Sequence, residues 1–225
     1  MHLTCSHTRS LVLCMFLFMA MVSVAQDFLS TRTVTYKNKK GSVAYSASVE
    51  FPTAGKDVVI DNILEWMGVV LDTEGDFRRD YDRQLRASCD SFINSGQGGE
   101  HTILIERSYE DERLVTFESM VTDKNGTTWR WADCASFSKR DGHRITIDEI
   151  FDCPETDIAH LMWDYRGDLP LDGFGPDDLM PVNAGFIDGW IIVIGPARNY
   201  TGAPFRLRYE EIEDFLSPSL SGYYH

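Results

Sequence analysis

The sequence predicts an α+β fold, a mainly antiparallel sheet with a few packing helices arranged in two lobes. Three observations predict it. Stretches in which apolar and polar residues alternate outnumber helical ones. The turn dipeptides Asn125-Gly126, Asp141-Gly142 and Asp188-Gly189 fall between such stretches, where hairpins need them. Two amphipathic stretches with apolar residues recurring at three and four lie together in the first half. With 225 residues, 43% hydrophobic and 25% charged, the composition is globular, and disorder is excluded as the default state.

Residues 1–25 read as a secretory leader. Arg9 ends a weakly positive start, residues 11–22 are apolar, and Ser23-Val24-Ala25 is a small-x-small cleavage site before Gln26. Cys14 follows Leu13, where lipoprotein processing wants a small residue, so release rather than lipid anchoring is expected. No later run reaches the roughly 18 apolar residues of a membrane span, so the expected mature protein is exported, with no transmembrane segment.

Thr33 to Tyr36 begins the first strand, followed by a polar break over residues 37–42. Val43, Tyr45, Ala47, Val49 and Phe51 then share one face at period two, and Pro52 is expected to end that strand. Asp57 opens a helix carrying Val59, Ile60, Ile63, Leu64, Met67 and Leu71 on one side. A second helix spans residues 80–94, with Tyr81, Leu85, Cys89 and Phe92 or Ile93 inward. Ser95-Gly96-Gln97-Gly98-Gly99 breaks the pattern and divides an N-terminal lobe, 26–100, from a C-terminal domain, 101–225.

The second half opens with strands at 101–109 and 114–122, and the Asn125-Gly126 turn returns the chain through 127–138. Residues 139–151 read as a turn, a strand through Ile145 and Ile147, and a short helix from Glu149 capped by Thr146 or Asp148. A helical turn or two follows through Ile158, Leu161 and Met162, then a Gly-, Pro- and Asp-rich loop at 169–180. Strands at 182–187 and 190–194 pair across Asp188-Gly189, 205–209 is a last strand, and 210–216 a closing helix.

Two of these stretches are similar to a known family. Asp141-Gly142-His143-Arg144-Ile145-Thr146-Ile147-Asp148-Glu149-Ile150-Phe151 and the closing Gly202 to Leu216 resemble segments of the RsiV-like C-terminal domain, a family of exported bacterial proteins. Phe186-Ile187-Asp188-Gly189-Trp190-Ile191 occupies the place of that family's penultimate hairpin, and Ser48-Val49-Glu50-Phe51-Pro52 with the helix at Asp57 resembles the small domain that often precedes it. Family members include membrane-anchored anti-sigma factors whose external domain binds lysozyme, and domains beside polysaccharide deacetylases, so the resemblance implies an envelope binding module. Trp129 to Ala135 stands where members carry a Gly-Gly-Ala-His-Gly-like turn, and the Tyr- and Glu-containing loop before the last strand is represented by Arg198-Asn199-Tyr200-Thr201-Gly202. The His and Glu of those motifs are therefore not carried over.

The function expected is a non-catalytic envelope binding module for a protein or glycan, the alternative being a hydrolase acting on envelope glycan or peptidoglycan. The net charge of −14 and the absence of a basic run exclude nucleic acid as a partner; oligomeric state is left open. Ligand contacts are expected from Arg198 and Tyr200, in a Pro- and Gly-bounded loop, with Trp190 on the adjacent hairpin. Trp129 and Trp131 fit a stacking surface or a core, and their even spacing on a strand assigns them to the core. His143, Asp148, Glu149, Asp152 and His160 are close in sequence, but Asp148 and Glu149 are explained by helix capping and the macrodipole. No nucleophile elbow or zinc-binding helix is present, and no metal or cofactor is implied. Without the leader, Cys89, Cys134 and Cys153 allow three possible bridges. A hairpin register that puts Cys134 about opposite Asp148, one turn before Cys153, favours a Cys134–Cys153 disulfide.

Overall fold

The structure is a computed structural model, and it describes residues 28–72, 80–95, 98–169, 171, 173–195 and 204–223. The fold is α+β, as the sequence predicts. The leader expected at 1–25 lies outside the described residues. Strands β1 (Ser30–Lys40) and β2 (Val43–Ala54) lead to helices α1 (Asp57–Val70) and α2 (Tyr81–Asn94). Next come β3 (Glu100–Glu110), β4 (Leu114–Asn125), β5 (Thr127–Ser138) and the two-residue β6 (Arg144–Ile145). Helices α3 (Ile147–Ile150) and α4 (Glu155–Asp164) precede β7 (Asn183–Ile187), β8 (Trp190–Ile194), β9 (Phe205–Arg208) and α5 (Tyr209–Ile212).

Strands β1 to β6 form one sheet in sequence order, and β7 to β9 form a second. Every pairing is antiparallel except β2 with β3, where Ala44 to Val49 run alongside Glu100 to Ile105. A parallel pair needs a long crossover, and α1 and α2 provide it. The Gly-rich segment expected as a lobe boundary is the last part of that crossover, so the two halves share a sheet across it.

Two strand ends differ from expectation. The polar residues Lys37 to Lys40 continue β1 and pair with Ser46 to Val43; β1 is an edge strand, where lysines face solvent and discourage further pairing. Pro52 lies inside β2 opposite Thr31, beside a register shift at Ser30/Thr31, which is the kind of irregular edge pairing where a missing N–H is tolerated.

Four layers result. Helices α1 and α2 bury Val59, Ile63, Met67, Leu85 and Cys89 against Ala47, Val49, Phe51, Ile105 and Phe117 of the first sheet. The second sheet packs on the opposite face, and its far side is covered by α4 through Ile158 and Met162. The two sheets approach closely at Gly185. A side chain begun there would lie 3.1 Å from Ser136 Oγ, 3.3 Å from Cys134 Sγ and 3.4 Å from Thr116 Cγ2. The polar groups trapped at this contact are satisfied: Thr116 Oγ1 and Ser136 Oγ lie 2.7 Å apart, and the Phe186 N–H donates to Ser136 Oγ at 2.9 Å, as buried polar atoms require.

Helix α1 is seated on the last part of β5 and the turn after it by three bonds from one side. Lys56 Nζ donates to the Lys139 carbonyl (3.0 Å), Asn62 Nδ2 to the Gly142 carbonyl (2.9 Å) and Trp66 Nε1 to Asp133 Oδ2 (2.9 Å). Gly142 must be a glycine for two reasons. Its φ is 75°, and a side chain there would sit 2.6 Å from the Val58 carbonyl oxygen. Gly126 has a similar φ of 77° but faces open space. Gly126→Ala should therefore cost only the left-handed strain of about 1–2 kcal/mol, whereas Gly142→Ala adds a backbone clash and should lose about 2–4 kcal/mol. Urea unfolding of the two variants checks this, and equal losses would count against the α1 seating described here.

Candidate functional site

The first sheet is longer than anything packed on it. Strands β4 and β5 have 12 residues each, about 40 Å at 3.3 Å per residue. Helix α1 has 14 residues, about 21 Å, and β7 and β8 have five each, about 17 Å. Both layers are drawn to the same end of β5. Residues from Cys134 to Ser138 are buried, and Thr127 to Trp131 are exposed.

Trp129 and Trp131 stand on that uncovered end, 50% and 40% exposed. This overturns their expected place in the core. Alternation gave the correct face, since Ala135 and Phe137 on the same side are buried. It could not show how far the helix layer reaches over β5, where the Trp66 indole bonds Asp133 one alternation before Trp131.

The cross-strand register lines up further groups with the tryptophans. Tyr45 pairs with His101, His101 with Asp123, and Asp123 with Trp129, one row on one face across β2, β3, β4 and β5. At strand spacings of about 4.8 Å, Trp129 is roughly 10 Å from His101. His101 Nδ1 hydrogen-bonds Asp123 Oδ1; an ionised carboxylate only accepts, so Nδ1 carries the proton. The imidazole stacks on Tyr45 at 5.3 Å and lies 5.0 Å from the Phe92 ring.

Beside this row is a groove of about 690 Å³ between the end of α1, helix α2 and the sheet, lined by Tyr45, Gln84, Ser88, Ser91, Phe92 and His101 among others. Gln84 Oε1 is buried with no hydrogen-bond partner among the described residues. Burial pushes the Tyr45 hydroxyl pKa up, with the Ser88 hydroxyl acting against it and Cys89 adding to it. Phenol, hydroxyls, an amide and aromatic faces suit an uncharged, hydroxyl-rich ligand that also presents apolar surface.

Of the residues expected to bind ligand, Trp190 alone lies among the described ones. Trp190 is half-buried, with the Arg208 guanidinium 4.6 Å over its ring, and lies on the second sheet. Arg198 and Tyr200 lie outside the described residues. His143 Nε2 meets the Glu149 carboxylate at 2.8 Å and 2.9 Å on the surface, and the Thr146 N–H donates to the same group at 2.8 Å. Burial works to raise the Glu149 pKa, but the bonds from Thr146 and His143 outweigh it and hold the group low. This is helix capping with a histidine neighbour. Among the described residues, no group of three or more His, Cys, Asp or Glu is placed to hold a metal.

The Cys134–Cys153 bridge is not formed; Cys89, Cys134 and Cys153 are free thiols. The register that suggested it ends too early. Strand β6 pairs only Arg144 and Ile145 with Phe137 and Ser136, and the chain then turns into α3, so Asp148 never comes opposite Cys134. Instead the Cys134 carbonyl accepts from Asn183 Nδ2 at 2.7 Å, and its thiol packs between the sheets with Ile187, Ile192 and Ile194. Burial, with Asp133 and Glu118, pushes the Cys134 thiol well up; burial with Asp157 and Asp152 raises Cys153.

His101 and Asp123 were missed by reading the sequence. The usable signal was the short connection at 111–113, which folds β4 back on β3 and sets residue 101 against 123, while Asn125-Gly126 sets 123 against 129.

No family model and no curated protein matches the sequence. The fold does have solved counterparts. A DUF3298 family protein from Pseudomonas aeruginosa PAO1 is similar over 87% of this chain and 97% of its own, with a TM-score of 0.59 and 12% identity. A member of the DUF3298 family from Bacteroides fragilis NCTC 9343 is similar over 88% of this chain and 96% of its own, with a TM-score of 0.57 and 10% identity. The molecule is thus an α+β protein with an aromatic groove at the open end of its larger sheet. Its fold is that of DUF3298 family proteins.

Alkylation without reductant, on protein lacking residues 1–25, checks the thiols. Unfolded protein should take up label at all three cysteines; in the native state half-buried Cys153 should react first and fully buried Cys134 only on unfolding.

Proposed function

We propose that the chain is a non-catalytic binding module for a glycan, working at the cell envelope after export. The observation that carries this reading is the exposed pair Trp129 and Trp131, of which Trp129 is in register with the Tyr45, His101 and Asp123 row. A pyranose ring offers an apolar face of C–H groups that stacks on an indole, and its hydroxyls match the serines, Gln84 and Tyr45 of the groove. Export is supported by the leader pattern of residues 1–25. A relation to the RsiV-like C-terminal domain is supported by the motifs at 141–151 and 202–216 and is consistent with the DUF3298 fold.

A second reading, a glycan hydrolase, is favoured by one observation. The His101–Asp123 pair borders the groove in the arrangement that orients an imidazole as a proton acceptor.

Calorimetric titration with chitin oligosaccharides and muropeptides tests both. Binding should weaken about tenfold or more, roughly 1.4 kcal/mol, in Trp129→Ala and in Trp131→Ala. The melting temperature should stay near that of the native protein, because both side chains are largely outside the core. Native affinity in both variants would place the ligand elsewhere. Shortened sugars appearing over hours, and lost in His101→Ala, would establish the hydrolase.

A further inference from the structure

A second cavity, of about 320 Å³, opens at the other end of α1. Three connections far apart in sequence build its wall. The β2–α1 junction brings Lys56, the β3–β4 turn brings Glu112 and Arg113, and the end of β5 brings Lys139 and Arg140; Tyr223 lines it from the C-terminal turn. Four cations and one acid thus line a cavity in a chain of net charge −14.

The four cations are not equally available. Lys139 is 7% exposed and fully engaged: Nζ donates to the Asp111 carbonyl at 2.7 Å, pairs with Glu110 at 3.0 Å and lies 4.4 Å from the centre of the Phe28 ring. Arg140 is exposed and paired with Asp141 at 2.9 Å. Lys56 and Arg113 are different, having no ion-pair partner among the described residues. Lys56 Nζ has given one hydrogen bond, to the Lys139 carbonyl, and an ammonium has three to give. The Arg113 guanidinium lies against Gly222, where a side-chain carbon would be 3.0 Å from its Nη1. Asp57 follows Lys56 in the first turn of α1.

Lys56 and Arg113 outnumber the one acid, Glu112, that lines the same wall, and an anion placed between them lowers their mutual repulsion while gaining charge-assisted hydrogen bonds. We propose that this cavity binds the phosphate group of a small phosphoester, with Arg113 as the forked donor and Lys56 as the point charge. The volume is at the lower end of ligand sites, which suits a headgroup the size of glycerol phosphate or a sugar phosphate. The phosphoester has two possible sources, a soluble metabolite or an anionic lipid headgroup.

The test combines calorimetric titration with sn-glycerol 3-phosphate and flotation with phosphatidylglycerol or phosphatidylcholine vesicles. Saturable glycerol phosphate binding is expected, weakened at least tenfold in Arg113→Ala and in Lys56→Ala and unaltered in Trp129→Ala. Should either alanine variant melt early, Arg113→Lys and Lys56→Gln replace them, and both should still bind more weakly than the native chain. Flotation with phosphatidylglycerol alone, reversed by glycerol phosphate, supports the proposal with lipid as the source. Glycerol phosphate binding without flotation supports it with a soluble ligand. No binding in either arm, or binding indifferent to both positions, overturns it.

Discussion

The carboxylate of Asp133 is the interaction on which the arrangement of layers depends. One oxygen accepts from Trp66 Nε1 of α1 at 2.9 Å, the other from Asn183 Nδ2 of β7 at 2.7 Å and from the Cys134 N–H at 2.8 Å. A side chain on a central strand can reach only one face of its sheet. Asp133 reaches both because β6 pairs only as far as Ile145 opposite Ser136, leaving β5 an open edge at residue 133. A single anion therefore fixes the helix layer and the second sheet to the same level of the first sheet. An ionised group accepting several bonds is the strong form of this contact, and loss of the carboxylate would leave buried donors unsatisfied. Beyond this pin the next residues outward on that face of β5, Trp131 and Trp129, are exposed.

The opposite end of the sheet is organised by a different charge. Glu110, with a side chain 6% exposed, accepts from Lys139 at 3.0 Å, from Arg107 and from the Leu29 N–H at 2.7 Å, and Arg107 also donates to the Leu29 carbonyl at 2.8 Å. A buried carboxylate with one partner would be expensive to desolvate; with two cations and an amide it is compensated. Lys139 cannot leave this group, because Glu110 would then lose part of that compensation. The start of β1 is thereby tied to β3 and β5, and the mouth of the basic cavity is held in shape by residues that do not themselves supply its free charge.

Much of this fold was legible because it follows from local chemistry. The turn dipeptides gave the hairpins, the period of three and four gave α1 and α2, and Asp80 caps α2 by accepting from the Arg83 N–H at 3.2 Å. The errors have a common origin in quantities that no local window contains. Alternation assigns Trp129 and Trp131 a face but not a cover, since the cover depends on the length of a helix sixty residues earlier. The proposed disulfide extended a register beyond the point where the chain bends into α3. Lysines 37, 39 and 40 looked like a loop because a strand with an unpaired edge need not alternate. The basic cavity was invisible for a related reason: Lys56, Arg113 and Lys139 come from three different connections, so no run of sequence is basic.

Helix α1 relates the two candidate sites to each other. Lys56, immediately before its first turn, lies at the basic cavity, and its last residues lead to Leu71 and Asp72 at the aromatic groove. Asp72 takes the left-handed conformation with φ 48°, which an Asp accepts more readily than most residues. A helix of 14 residues held to β5 and the following turn by Lys56, Asn62 and Trp66 behaves as a strut of about 21 Å. The sites are therefore separated by a fixed span rather than by a hinge. Only a chain long enough to reach along α1, with its sugar and its phosphate at the matching separation, would gain from both through effective concentration. If both proposed ligands bind, the spacing set by the strut favours extended polymers over the small units that compose them.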